Sequence, residues 1–368
     1  MTLTHIRPDI LATPEEPYGL VDLADVAARH GLPLERIVKL DANENLYGAS
    51  PKVQAALAAD QGWQFYPDIS YLPLRRALGE YCEADAEQII ATNGCDELIL
   101  LLVQLFMQPG DQAINTPPTF SVYDWSIHIQ GGVNVSVPRR RDQAYALDTA
   151  GIVKAVNDRT RLVFICNPNN PTGNLTPQKD IEAILDTGVM VAVDETYYEF
   201  SGVTMLPLQA KYSNLIIMRS LSKWAALAGM RVGYGIFSTD VARQMHKIRQ
   251  PFNVNRAGYV ATLASIEDKG YLLANVAKLV TERERLLLLL RRVPFLRCYP
   301  SHGNYILCDV NGVSSQVLRG EIEKEGVLLR AYQSKHLPNA IRFSVGKPEH
   351  TEAAMAALDC AGQRLALL

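Results

Sequence analysis

The sequence has little excess charge of either sign. Its 36 lysines and arginines stand against 39 aspartates and glutamates, for a formal net charge of −3. That balance makes no electrostatic case for nucleic acid or an anionic membrane as partner. Long apolar runs are also lacking. A stretch such as Leu286–Leu290 falls far short of the roughly 20 residues that cross a bilayer. The opening MTLTHIRPDI has neither the basic region nor the apolar block of a signal peptide. Six cysteines (Cys82, Cys95, Cys166, Cys298, Cys308 and Cys360) are scattered, with no CxxC pair and no zinc spacing to histidine. They read as reduced thiols, which suits a cytoplasmic chain. Histidines such as His128, His246 and His302 read as core or surface residues rather than metal ligands. No GxGxxG follows a candidate strand, so a dinucleotide-binding fold is not expected.

What is present is a chain of 368 residues with 48% hydrophobic and 20% charged residues. That length exceeds a single core and predicts two domains, or one large domain with a smaller lobe. From about Ser50 the pattern alternates. KVQAALAA, LPLRRALGEYC and CDELILLLVQLFM read as helices. QIIATNG, QAINTPP, GVNVSV, RLVFICNP, VMVAVDE, NLIIMRS and VGYGIF read as short, continuously apolar strands closed by a polar or turn residue. Such strands between helices predict an α/β fold whose mostly parallel sheet is covered on both faces. After about Thr239 a helical stretch (256–292), three shorter strands and a closing helix (349–365) read as a smaller α/β lobe. The expected division is 1–49 as a segment joining the small domain, 50–245 as the large domain and 246–368 as the small one.

The polar residues of interest follow the strands, where open α/β sheets bind ligands. Lys223 lies in RSLSKWAALAGMRVGY, an apolar setting that would disfavour its charged form and leave a nucleophilic amine. Taken alone, a lysine at a helix start is more often a solvated surface residue. Its neighbours change the weighing. Ser220, Ser222 and Arg231 form a phosphate-binding set, and NGCDE (93–97) adds backbone N–H groups at a helix start. Asp194 ends an apolar strand and needs a partner. A pyridinium N–H would serve, as would an N-cap or an ion pair. Tyr197 and Asn170 could both reach a ring oxygen.

NPNNPTG, DETYYEF, SLSKWAALAGMRVGY and IRFSVG, in this order, resemble the class I/II, fold-type I pyridoxal-phosphate aminotransferases. KLDANENLYG and QFYPD narrow the resemblance to the histidinol-phosphate aminotransferase family, over nearly the whole chain from about Tyr18. The resemblance implies pyridoxal 5′-phosphate as cofactor, carried by Lys223. It implies Asp194 at the pyridine nitrogen, Asn170 and Tyr197 at the ring oxygen, and Phe120 stacked on the ring. Ser220, Ser222, Arg231 and the backbone at Cys95 and Asp96 would form the phosphate cup. Tyr66 would cross to the neighbouring subunit of a homodimer. Arg342 would meet the substrate α-carboxylate, with Arg330 and Tyr18 near its distal end. Lys223, Asp194 and Tyr197 are the catalytic set.

The implied reaction is a ping-pong transamination between histidinol phosphate and 2-oxoglutarate. Three departures are visible. Phe120 replaces the family's usual tyrosine, Phe65 stands where an arginine precedes YP, and Leu46 replaces the proline of NENPYG; the last two are expected near the substrate entrance. Two alternatives stay open, an aromatic amino-acid aminotransferase and a threonine-phosphate decarboxylase. A cofactor-binding regulator would need a DNA-binding domain, and the segment before the large domain carries no basic helix-turn-helix signal.

Overall fold

The computed structural model describes residues 5–11 and 22–368. The first strand, β1 (Val38–Lys39), is followed by seven that build the main sheet. These are β2 (Ile89–Thr92), β3 (Gln112–Asn115), β4 (Val133–Ser136), β5 (Thr160–Cys166), β6 (Met190–Asp194), β7 (Leu215–Ser220) and β8 (Gly233–Ile236). Their order is β2-β8-β7-β6-β5-β3-β4. All seven match strands read from the sequence. β8 alone runs antiparallel to its neighbours, β2 and β7. The other six are therefore parallel, and their carboxyl ends share one edge.

The apolar runs explain the layering. Successive side chains on a strand point to opposite faces. Val191, Val193 and Ile217 enter one core, while Ala192, Ile216 and Met218 enter the other. The helix Cys95–Phe106 closes the second face with Leu98, Ile99 and Leu102. A strand buried on both sides has no solvated positions, which is why these runs show no alternation.

A second sheet has the order β12-β13-β10-β9, from β9 (Leu296–Cys298), β10 (Tyr305–Val310), β12 (Arg330–Ser334) and β13 (Leu337–Ser344). Ahead of β12, the short β11 (Val327–Leu328) pairs in parallel with β1. The segment after β1 then runs onto β13, with Ser344 N–H donating to Leu40 O at 3.1 Å. So the chain from Val38 onward is attached to the second sheet before it reaches the main one.

Two elements differ from the sequence reading. The helical stretch 256–292 is broken at Asp268 into Arg256–Glu267 and Lys269–Leu290. Asp268 leaves helical geometry, and its carboxylate accepts the hydroxyl of Ser50 at the start of helix Pro51–Ala59. GVLLRAY, read as one strand, splits at Leu329 because its two halves pair with different strands.

Beneath the edge where the parallel strands end lies a buried ion pair. Arg219 Nη2 meets Glu195 Oε2 at 2.9 Å, and the guanidinium sits 3.9 Å from the Tyr198 ring centroid. The carboxylate also accepts from Thr204 Oγ1 at 2.8 Å and Met205 N–H at 2.6 Å. Removing one partner would strand the other charge out of water. Arg219→Ala should therefore lower the free energy of unfolding by about 3–5 kcal/mol in urea denaturation. A loss under about 1 kcal/mol, typical of an exposed pair, would show that the pair does not hold this edge.

Candidate active site

The ends of five parallel strands supply the walls of one cavity of about 590 Å³. Asn115 comes from β3, Cys166 from β5, Asp194 from β6 and Ser220 from β7; the turn after β2 leads to Cys95 and Asp96. Arg330, Tyr332 and Arg342 close it from the second sheet, and Asp41–Asn43 from the segment after β1. Of the residues singled out by sequence, Lys223, Asp194, Tyr197, Cys95, Asp96, Phe120, Asn170, Ser220, Ser222, Arg231, Arg330 and Arg342 all line this cavity. Tyr66 does not: it is 77% exposed and stacked on Phe252, ring centroids 4.3 Å apart. Phe65 is exposed beside it, and neither Phe65 nor Leu46 lines the cavity of its own chain. Tyr18 lies outside the described residues.

Lys223 follows β7 and faces the cavity, where its Nζ donates to Ala42 O at 2.7 Å. Burial pushes its pKa down to about 8, and the positive charge of Arg342 adds to the effect. Lys39 and Arg231 act in the same direction, and Glu44 opposes them. The amine is thus available as a nucleophile near neutral pH.

One end of the cavity is an anion cup. The helix Cys95–Phe106 begins there, directing its free N–H groups and positive dipole end inward. Ser220 and Ser222 line the same region, with Ser222 N–H donating to Ser220 Oγ at 3.1 Å. Arg231 adopts a left-handed conformation (φ 53°), which non-glycine residues seldom occupy. Its guanidinium packs against Gly94, where a Cβ would meet Nη2 at 2.5 Å. A Cβ on Gly233 would likewise meet Cys95 N at 2.6 Å. Bare backbone at both positions keeps the cup open. Arg231 is not free: Nη2 pairs with Asp96 Oδ2 at 2.9 Å, half-exposed on both sides.

Asp194 is buried, and burial pushes its pKa up. The Thr196 hydroxyl, the Tyr123 hydroxyl and the Thr196 N–H oppose that shift. Thr196 N–H reaches Oδ1 at 2.9 Å, and the Tyr123 hydroxyl reaches Oδ2 at 2.6 Å. Tyr197, whose pKa burial raises, accepts Asn43 Nδ2 at 3.0 Å through its hydroxyl. Asn170 Oδ1 accepts from Arg342 Nη1 at 2.7 Å, so two residues assigned to different partners by sequence are joined here. Arg342 also donates to Asp41 O, while its Nε is buried without a partner among the described residues.

The sequence reading missed Tyr123, Asn43 and the carbonyl of Ala42. Tyr123 had one available signal, an aromatic one helical turn after Phe120. Asn43 and Ala42 had none, because their targets lie more than 150 residues away.

This donor set fits pyridoxal phosphate. It offers an anion cup, a carboxylate for a ring N–H, a flat aromatic wall in Phe120, and between them an amine that gives up its proton more readily than an ordinary lysine. The described residues hold no cluster of metal-ligating side chains, and no helix among them is long and apolar enough to cross a membrane. The lowered pKa is directly measurable on the bare protein. Treatment with a small aldehyde and cyanoborohydride should label Lys223 with a half-maximal rate near pH 8, against 10.5 for an ordinary lysine. The neutral fraction of a depressed amine grows as pH rises through its own lower pKa, so labelling at pH 8 should favour this site. Onset only near pH 10.5 would refute the desolvation argument.

Comparison with known proteins agrees with the cavity. Residues 35–358 match the family model "Aminotransferase class I and II". A histidinol-phosphate aminotransferase of Dehalococcoides mccartyi is 44% identical over 328 residues, covering 89% of this chain and 91% of that one. A chloroplastic histidinol-phosphate aminotransferase of Nicotiana plumbaginifolia is 41% identical over 357 residues, 96% of this chain and 86% of its own. The crystal structure of histidinol-phosphate aminotransferase from Sinorhizobium meliloti, in complex with pyridoxal-5′-phosphate, superposes with a TM-score of 0.88 at 25% identity, covering 99% of both chains. With strand ends, anion cup and half-buried lysine arranged as described, this chain belongs to the class I and II aminotransferases.

Proposed function

We propose that the chain transfers the amino group of histidinol phosphate to 2-oxoglutarate, a step of histidine biosynthesis, using pyridoxal 5′-phosphate. The observation that carries the reading is the desolvated amine of Lys223 between an anion cup and a second anion-binding wall bearing Arg330 and Arg342. The names of the relatives support the substrate. Bound in the cavity, the cofactor supplies an aldehyde that condenses with amines and a pyridine ring that, when protonated, stabilises negative charge on the substrate carbon.

The chain's own residues do the rest. Ser220, Ser222, Arg231 and the helix start at Cys95–Asp96 hold the phosphate group. Asp194 accepts the ring N–H, and Phe120 covers the ring face. Asn170 and Tyr197 donate to the ring oxygen, which requires Asn170 to turn its amide nitrogen inward while its oxygen stays on Arg342. Lys223, once released by the incoming amine, takes the proton from substrate Cα and later returns one, as general base and then acid. Arg342 presents a guanidinium with an uncommitted Nε to the substrate's anionic group, and Arg330 is its cross-strand partner. A guanidinium accepts a phosphate or a carboxylate bidentately, as two different substrates demand.

The same reading gives residues 50–245 the cofactor-binding domain and 246–368 the small domain, with 1–49 joined to the latter. The pairing of β1 with β11 supports the join. It also makes the protein a homodimer. Trp63, Phe65, Tyr66 and Ile69 are exposed together, an apolar patch suited to a second copy of the chain. Tyr66 would then reach the neighbouring cavity. The free thiols suit a reducing, cytoplasmic setting.

Borohydride reduction of the cofactor-loaded protein, followed by peptide mapping, should tag Lys223. Lys223→Ala should lose the tag and at least about a hundredfold in turnover. Rapid mixing should show histidinol phosphate converting the bound cofactor faster than phenylalanine does. Equal rates would remove the case for a phosphate-binding substrate site. Neither Tyr66→Ala nor Lys223→Ala should be active alone. Mixed one to one and allowed to exchange, they should recover roughly a quarter of wild-type activity, since random pairing leaves one intact site in half of the dimers. No recovery would mean that Tyr66 serves its own subunit.

A further inference from the structure

Tyr123 sits in the helix Val122–Ile129 and has no exposed surface. Its ring stacks on Phe164 of β5, with centroids 4.8 Å apart and planes 7° from parallel. It makes a T-shaped contact with Phe120, with centroids 5.6 Å apart and planes at 83°. These contacts fix the phenol between a core ring and the ring that lines the cavity. Packing alone would be served equally well by phenylalanine, yet the position carries a hydroxyl, and that hydroxyl ends 2.6 Å from Asp194 Oδ2. Burial and the adjacent carboxylate push the phenol far above its ordinary pKa, so it keeps its proton and can donate to Asp194.

An ionised carboxylate has about four acceptor positions. Here Thr196 N–H takes one on Oδ1 and Tyr123 one on Oδ2, and the Thr196 hydroxyl also favours the charge, which still leaves capacity for a donor from the cavity. An unaided carboxylate at this depth would favour its protonated form, and the charge of Asp96 pushes it the same way. A protonated Asp194 could not hold a ring proton.

We propose that Tyr123 is a positioning residue for the amino transfer argued above, and the inference rests on that reading. Its hydroxyl keeps Asp194 an oriented, ionised carboxylate facing the cavity, and its T-shaped contact sets the angle of Phe120. It acts through these two residues and touches no reacting atom.

The test is a double-mutant cycle on cofactor affinity, read by fluorescence titration of apoprotein with pyridoxal phosphate. In wild type, Tyr123→Phe should weaken binding about tenfold, as expected for loss of a hydrogen bond to a charged group. In an Asp194→Asn background the same substitution should cost less than about twofold. In the loaded enzyme, Tyr123→Phe should lower kcat about tenfold and leave KM for the amine within about twofold. Tyr123→His keeps a ring with an N–H donor and should retain more affinity than Tyr123→Phe. Equal losses in both backgrounds, or equal losses for the two substitutions, would overturn the proposal by making Tyr123 a packing residue only. Wild-type protein that binds no pyridoxal phosphate would overturn the proposed function as well, a result distinct from either.

Discussion

Water must be kept from one amine. Lys223 carries its nitrogen into a place where it donates to the carbonyl of Ala42 and where the guanidinium of Arg342 is the charge that most lowers its pKa. A carbonyl accepts a hydrogen bond without fully compensating an ammonium, and a like charge penalises it further. No counter-ion of Lys223 overrides these two effects. Had a carboxylate stood where Ala42 O stands, the same lysine would be a protonated half of an ion pair and no nucleophile. The arrangement of the cavity can be read as keeping carboxylates occupied elsewhere. Asp96 is taken by Arg231, Asp41 by Lys39, and Asp194 by Tyr123 and Thr196.

The segment after β1 holds this state in place. The backbone N–H of Asn43 donates to Ser344 Oγ on β13 at 2.9 Å. Its side chain donates to Tyr197, and its carbonyl accepts from Asn304. Asn45 donates to Trp224 O, one residue beyond Lys223. The segment is thereby tied to the second sheet on one side and to the lysine loop on the other. Ala42 O meets the amine only because both ties hold. Movement of the second sheet relative to the first would change the environment of Lys223 directly.

Much of this was legible beforehand, for an identifiable reason. A parallel sheet covered on both faces forces its strands to be apolar throughout, so a polar residue closing such a run stands out. Asp194 and Ser220 stood out in that way, Asn170 by its turn after β5 and Lys223 by its place after β7, and all four line the cavity. The break at Asp268 was not legible, because an aspartate within a helical pattern gives no sign that a distant Ser50 will claim it. The same holds for the split of GVLLRAY, where one uniform pattern is shared between two pairing partners.

The sequence by itself determined which chemical groups are available and that they gather at one edge. Strand periodicity and the common direction of β2, β3, β5, β6 and β7 follow from local patterning and the handedness of the connections. What only the tertiary structure decided is the state of those groups. The lowered pKa of Lys223, the hydrogen bond of Tyr123 to Asp194 and the tether of Asn43 on Tyr197 each depend on neighbours more than 70 residues away along the chain. Desolvation and charge act through distance in space, and a linear sequence does not contain that distance.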